Sequence, residues 1–225
     1  MKIYITNKDI INGSFVIPEG VTEIKDYTFD GCTSLESIII PEGVTKIGKM
    51  AFYGCKRLKN ITLPDGVTEI GEGAFDGCKS LKKIIIPEGI TEIKDYTFYG
   101  CTSLKKIIIP ESITEIGKWA FSECSNLASI TLPDGVTEIG PETFWGCISL
   151  KNITIPDGVT WIGNRAFACC ENLTSIVIPE SVTKIGDWVF SGCSSLKKVS
   201  LPKKVKLDPF VFHGCPPEIE IIYRD

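Results

Sequence analysis

From Asp26 the chain reads DYTFDGCTSLESIIIPE (residues 26–42), and from Asp95 it reads DYTFYGCTSLKKIIIPE (residues 95–111). Fourteen of the seventeen letters agree; the three that differ are Asp30/Tyr99, Glu36/Lys105 and Ser37/Lys106. Repetition this close predicts one backbone unit used again, with its surface rewritten.

The interval between the two copies divides into three equal shorter ones. Proline stands at 18, 41, 64, 87, 110, 133, 156, 179 and 202, always 23 residues apart. Phenylalanine follows eleven residues later in eight successive units, from Phe29 to Phe190. A ninth, Phe212, arrives one residue early because KKVKLDPFVF has lost a position. Cysteine keeps the same beat at 32, 55, 78, 101, 124, 147, 170, 193 and then 215. A period of 20–50 residues is the mark of a solenoid. Twenty-three residues cannot bury enough apolar surface to offset the entropy of ordering them, whereas stacked units share contacts and ladder hydrogen bonds on both sides.

Within the unit, LKKIIIP reads as a short strand with Ile107 and Ile109 inward and Ile108 outward. Proline ends it by lacking the ladder donor. VTEIG reads as a second extended segment, closed by a glycine whose freedom in φ suits a corner. The following A-F-x-G-C is expected to be a tight turn carrying Phe inward. Nine turns at about 4.8 Å per rung predict a stack roughly 43 Å long.

The pattern L-x-x-I-x-I-P-x-x-V-T-x-I-G-x-x-A-F-x-G-C resembles the BspA-like leucine-rich repeats, a 23-residue class found in surface proteins of bacteria and some protozoan parasites. The match covers about residues 16–215. The resemblance implies a leucine-rich repeat solenoid, mostly β, with a parallel sheet on its concave side and short extended segments and tight turns on the convex side. The Asn ladder of leucine-rich repeats generally is missing, since Gly43, Gly66, Gly89 and Ser112 stand near its place. Corner hydrogen bonding must therefore be done by other groups. Residues 1–15 read as an N-terminal cap to which KIYI supplies a covering strand. Residues 216–225 read as a C-terminal capping strand in which Ile219, Ile221 and Tyr223 alternate with charged residues.

In a stack each repeat position becomes a row, and variable rows are where specificity can reside. Two residues before Phe the row reads Tyr27, Met50, Gly73, Tyr96, Trp119, Glu142, Arg165, Trp188. One after Phe it reads Asp30, Tyr53, Asp76, Tyr99, Ser122, Trp145, Ala168, Ser191. Aromatic residues with a polar tip are favoured contact residues. Candidate partner-binding residues are therefore Tyr27, Tyr53, Tyr96, Tyr99, Trp119, Trp145, Trp161 and Trp188, which would otherwise cover corner backbone. Lys83, Ile85, Lys106 and Ile108 are candidates on the sheet face.

Net charge is −4, and no concentrated basic face argues for nucleic acid. No apolar run reaches membrane-spanning length. MKIYITNKDI lacks the apolar core of a signal peptide, so the expectation is a cytosolic chain or a piece of a longer one. An acid follows each of the first eight periodic prolines, from Glu19 to Glu180. Single carboxylates in file lack the converging oxygens that calcium wants, and they read as a solvated edge. Stacked cysteines about 4.8 Å apart exceed the Cβ spacing of a disulfide, so free thiols acting as small apolar filler are expected. Cys169, in the turn row where other repeats carry Gly or Glu, is expected to be exposed and the most reactive. His213 reads as a surface residue, and no catalytic or nucleotide-binding motif is present.

These features predict a non-enzymatic, monomeric protein-binding module needing no cofactor or metal and inserting in no membrane. The family resemblance implies adhesion to a host or neighbouring-cell protein, at the cell surface or secreted. The alternatives are an intracellular interaction scaffold, favoured by the thiols, and a structural spacer of a larger surface protein.

Overall fold

Each turn lies on the next in the register that the proline period predicts: Ser14 pairs with Ser37, Lys83 with Lys106, Ser129 with Asn152 and Ser175 with Lys198, all in parallel. A computed structural model describes residues 5–224, in which there is no helix. Of the KIYI segment expected to cover the first turn, residues 2–4 lie outside that range. Ile5 lies within it and donates its amide to the Thr28 carbonyl at 2.9 Å.

Three-residue strands such as Ser37–Ile39 and Lys106–Ile108 form the sheet face. The third turn joins through isolated bridges from Asn60 to Ser37 and Lys83. The alternation is as the sequence predicts, with Ile107 buried and Ile108 41% exposed. A second ladder of two-residue strands, such as Lys46–Ile47 and Glu69–Ile70, runs along the flank. The flank ladder breaks between Glu69–Ile70 and Glu92–Ile93, and again between Glu115–Ile116 and Glu138–Ile139.

The flank glycines correct one expectation. Gly48, Gly71, Gly117, Gly163 and Gly186 do not occupy left-handed backbone. They are glycine because the preceding turn's backbone crosses too closely. A Cβ on Gly71 would stand 2.4 Å from the Lys49 nitrogen, and one on Gly163 would stand 2.5 Å from the Pro141 nitrogen. Where the ladder breaks, the pressure eases: Lys94 takes the glycine position, and a Cβ on Gly140 would sit 3.2 Å from its neighbour.

The third edge is the turn. Amides of Phe29, Phe52, Phe75 and Phe98 donate to carbonyls of Ala51, Ala74, Thr97 and Ala120 one turn on, at 2.8–2.9 Å. Asp26, Asp95 and Asn164, which recur at every third turn, accept the amides of Lys49, Lys118 and Asp187 at 2.8–3.0 Å. These bonds do the work of the missing Asn ladder.

Phenylalanines 29 to 190 are at most 1% exposed and stack in one column, with ring planes 2–8° apart. Parallel rings at equivalent positions are separated by the local rung height, here 5.1–5.9 Å. Paired strands are held at about 4.8 Å. The turn edge is therefore longer than the sheet, which bows the stack with the sheet on its concave side.

Beneath the Phe column the cysteines form a second one, and they are more than filler. Cys32 donates to the Ile5 carbonyl, and each later core thiol donates to the carbonyl of the Phe one turn back: Cys55 to Phe29, Cys78 to Phe52, Cys101 to Phe75 and Cys124 to Phe98, at 3.1–3.2 Å. All ten cysteines are free. Burial pushes the core thiols far above their ordinary value.

Candidate functional site

The variable row before Phe is not a free row of the backbone. All eight of its residues lie in the left-handed region, with φ from 49° to 61°, and seven are not glycine. That conformation costs a side-chain-bearing residue roughly 1–2 kcal/mol. The strain is set by the hydrogen bonding of the turn: Tyr27, Met50 and Gly73 donate to the carbonyls of Lys49, Glu72 and Asp95. The consequence is a file of side chains held outward along one edge.

On the middle turns that file becomes a continuous aromatic patch. Tyr96 stacks on Trp119 at 5.9 Å with planes 13° apart, and Tyr99 meets both rings at 6.0–6.1 Å. Trp145 extends the patch from Trp119 at 6.5 Å. Tyr27 and Tyr53 lie on the same edge nearer the N-terminus and are exposed. Trp188 forms a separate group with Phe210 at 4.9 Å and His213 at 5.2 Å.

Trp161 stands apart from these, in the flank strand Trp161–Ile162. Its indole nitrogen is buried without a hydrogen-bond partner, and the Lys184 amine lies 6.0 Å from the ring. The remaining candidates belong to the sheet face, where Lys83 pairs with Lys106 and Ile85 with Ile108. Ile85 is 50% exposed. The structure thus divides the sequence-derived set between the turn edge, the flank and the sheet.

A residue that sequence reasoning did not single out sits beside the patch. Asp76 lies between Tyr53 and Tyr99 on a groove of about 490 Å³, whose floor is Gly31, Gly54, Gly77 and Gly100. Lys56, Lys79 and Glu123 also line it. These glycines have φ of 65–70°, and a Cβ on Gly77 would stand 3.5 Å from the Gly54 α-carbon. Desolvation by burial raises the Asp76 carboxyl to about 6. The tyrosine–aspartate–tyrosine order is written in the row; only the depth of the groove was not.

Cys169 does not occupy the exposed, activated position expected of it. It is half-buried at φ 59°, with its thiol raised by burial and by the charges of Glu171 and Glu123. Cys215, also half-buried, is lowered by its neighbour Cys193. Among the described residues, no three His, Cys, Asp or Glu converge as a metal site, and no helix is long and apolar enough to cross a membrane.

The family model for the BspA type leucine rich repeat region matches residues 7–128 and 114–223, in six copies. Among solved structures, the T. pallidum leucine rich repeat protein is 33% identical, with a TM-score of 0.59, over 81% of this chain and 77% of that one. A leucine-rich repeat protein from Eubacterium ventriosum is 24% identical, with a TM-score of 0.58, over 94% of this chain and 72% of that one. Among curated proteins, none matches this chain.

Proposed function

The chain belongs to the BspA-type leucine-rich repeat family, and on that premise we propose that it is a non-enzymatic binding module that docks a protein of a host or neighbouring cell on its aromatic turn edge. The observation that carries this reading is the patch of Tyr96, Tyr99, Trp119 and Trp145. Its members occupy positions that vary between repeats, and two of them sit in backbone that glycine would adopt more cheaply. Large aromatic side chains dominate the binding energy of protein interfaces, and truncating the strongest contributors costs about 2 kcal/mol or more. A location at the cell surface or in the medium accords with the family.

The cysteine column lends no weight to the intracellular alternative. Its thiols are buried, hydrogen-bonded and hard to ionise, so oxidant reaches them poorly in any compartment.

The test is to capture partners from the organism's natural surroundings with the native protein and identify the bound protein. Its affinity is then measured for a variant in which Tyr96, Tyr99, Trp119 and Trp145 are all replaced by serine. An affinity loss of at least a hundredfold, with melting temperature retained, supports the reading. Unchanged affinity in a folded variant would reduce the patch to a cover for corner backbone.

A further inference from the structure

Asp76 presents an uncompensated charge in a shaped place. Among the described residues its carboxylate makes no hydrogen bond or ion pair, although Lys56 and Lys79 line the same groove. Tyr53 and Tyr99 come from the turns on either side, two rungs or about 10 Å apart along the edge, and both line the groove with Asp76. In the neighbouring row turn three carries Gly73, and the Met50 side chain lies over it, its Cγ 3.2 Å from where a Cβ would stand.

The groove is closed to two other kinds of ligand. Its backbone is already paired: Gly54 and Gly77 donate to Asp76 and Tyr99, and their own carbonyls accept from Lys56 and Lys79 at 2.7–2.8 Å. An added strand would find no ladder there. A lone carboxylate also lacks the converging oxygens that a divalent cation requires. What remains is recognition by side chains, through a carboxylate flanked by two tyrosines, with two lysines lining the same groove.

Resting on the protein-binding reading above, we infer that this slot receives an arginine side chain of the partner, seated between Tyr53 and Tyr99 on Asp76, while an acidic side chain of the same segment meets Lys56 and Lys79. A planar guanidinium stacks on aromatic rings and bonds a carboxylate in a fork, so it satisfies both features at once. The charge of an entering cation offsets the desolvation that holds the carboxyl near 6. The ionisable groups around Asp76 are the phenols of Tyr53 and Tyr99, the amines of Lys56 and Lys79, the carboxylate of Glu123, and the buried thiols of Cys78 and Cys101, whose ionisation Asp76 opposes.

The experiment uses a fluorescein-labelled, end-blocked Gly-Ser-Arg-Gly-Glu-Ser-Gly peptide, whose two charged residues share one face of an extended chain. A twin carries citrulline in place of arginine, and binding is followed by fluorescence anisotropy. The expected results are at least tenfold tighter binding of the arginine peptide and loss of that preference in Asp76→Asn. In the native protein the preference also falls about tenfold between pH 7.5 and 5.0, whereas in the variant it does not move.

Equal binding of the two peptides, an undiminished preference in Asp76→Asn, or no arginine-peptide binding up to millimolar concentration would each overturn the inference. So would Asp76-dependent binding of an oligosaccharide probe, maltoheptaose, without peptide binding. Melting curves confirm that Asp76→Asn is folded. If Asp76→Asn leaves the natural partner's affinity untouched while the four-serine variant abolishes it, the slot fails and the docking edge stands. If neither variant matters, the edge fails as well.

Discussion

The thiol of Cys101 lies 3.2 Å from the carbonyl oxygen of Phe75, one turn back, and the same relation recurs between Cys124 and Phe98 and between Cys147 and Phe121. The column of cysteines is thus a column of donors pinning successive turns together.

This leads to a prediction with a definite sign. Cys101→Ser and Cys101→Ala both remove the sulfur's bulk, but serine keeps a donor toward Phe75. Serine is expected to be the more stable by about 0.5–1.5 kcal/mol, the net worth of a typical hydrogen bond. Pure apolar filling predicts the reverse order, since a buried hydroxyl without a partner is penalised. Chemical denaturation of the two variants reads the sign directly.

Asp76 makes stability depend on pH in the direction opposite to a paired carboxylate. Its carboxyl is raised from 3.8 to about 6 in the folded chain. The folded state therefore holds the proton more tightly, and its contribution is full below about pH 3.8 and is lost as pH rises through about 6. Asp76→Asn should be more stable than the native chain at pH 7.5 by about 1–2 kcal/mol, after allowing for partial exposure. The difference should vanish at pH 3.5. Equal melting temperatures at pH 7.5 would show that the carboxylate is well solvated.

Two glycines of similar appearance should behave very differently. A Cβ on Gly71 would meet the Lys49 backbone nitrogen at 2.4 Å, whereas the nearest atom to one on Gly43 is 3.9 Å away. Gly71→Ala must push two turns apart and should cost about 3 kcal/mol or more, an overpacking fixed by backbone. Gly43→Ala should be neutral or stabilising by up to about 1 kcal/mol, through the unfolded state. Similar losses for both would mean that the flank spacing is not what selects glycine.

At Cys169 the side chain occupies a turn position where most other turns carry glycine, with φ 59°. Replacing it by glycine relieves roughly 1–2 kcal/mol of left-handed strain and gives back about 0.5–1 kcal/mol in chain entropy. Cys169→Gly should thus stabilise the protein modestly. Thiol titration of the native protein should label Cys215 first, Cys169 more slowly and the remaining eight only on unfolding, as their burial dictates. Rapid labelling of Cys101 or Cys124 would contradict the closed column.

The repeat was legible because in-register stacking imposes one environment on every residue of a column, so Phe52, Phe75 and Phe98 had to be alike. The alternation of Ile107 and Ile108 follows from the pleat alone. The aromatic candidates could be named as rows but not sorted: Trp161, Trp119 and Ile108 each vary or protrude, yet they lie on the flank, the turn edge and the sheet. Asp76 was visible as a letter between two tyrosines, without any indication that it was half-buried.

By itself, the sequence determined a nine-turn solenoid, the register of its turns, its inward residues and its variable rows, because periodic identity is a direct imprint of a periodic ladder. The tertiary structure alone decided which glycines answer to a positive φ and which to a backbone 2.4 Å away, that the cysteines donate hydrogen bonds, and that one aspartate is half-buried in a groove with two tyrosines. These depend on distances and angles between turns, which every column shares and no single letter reports.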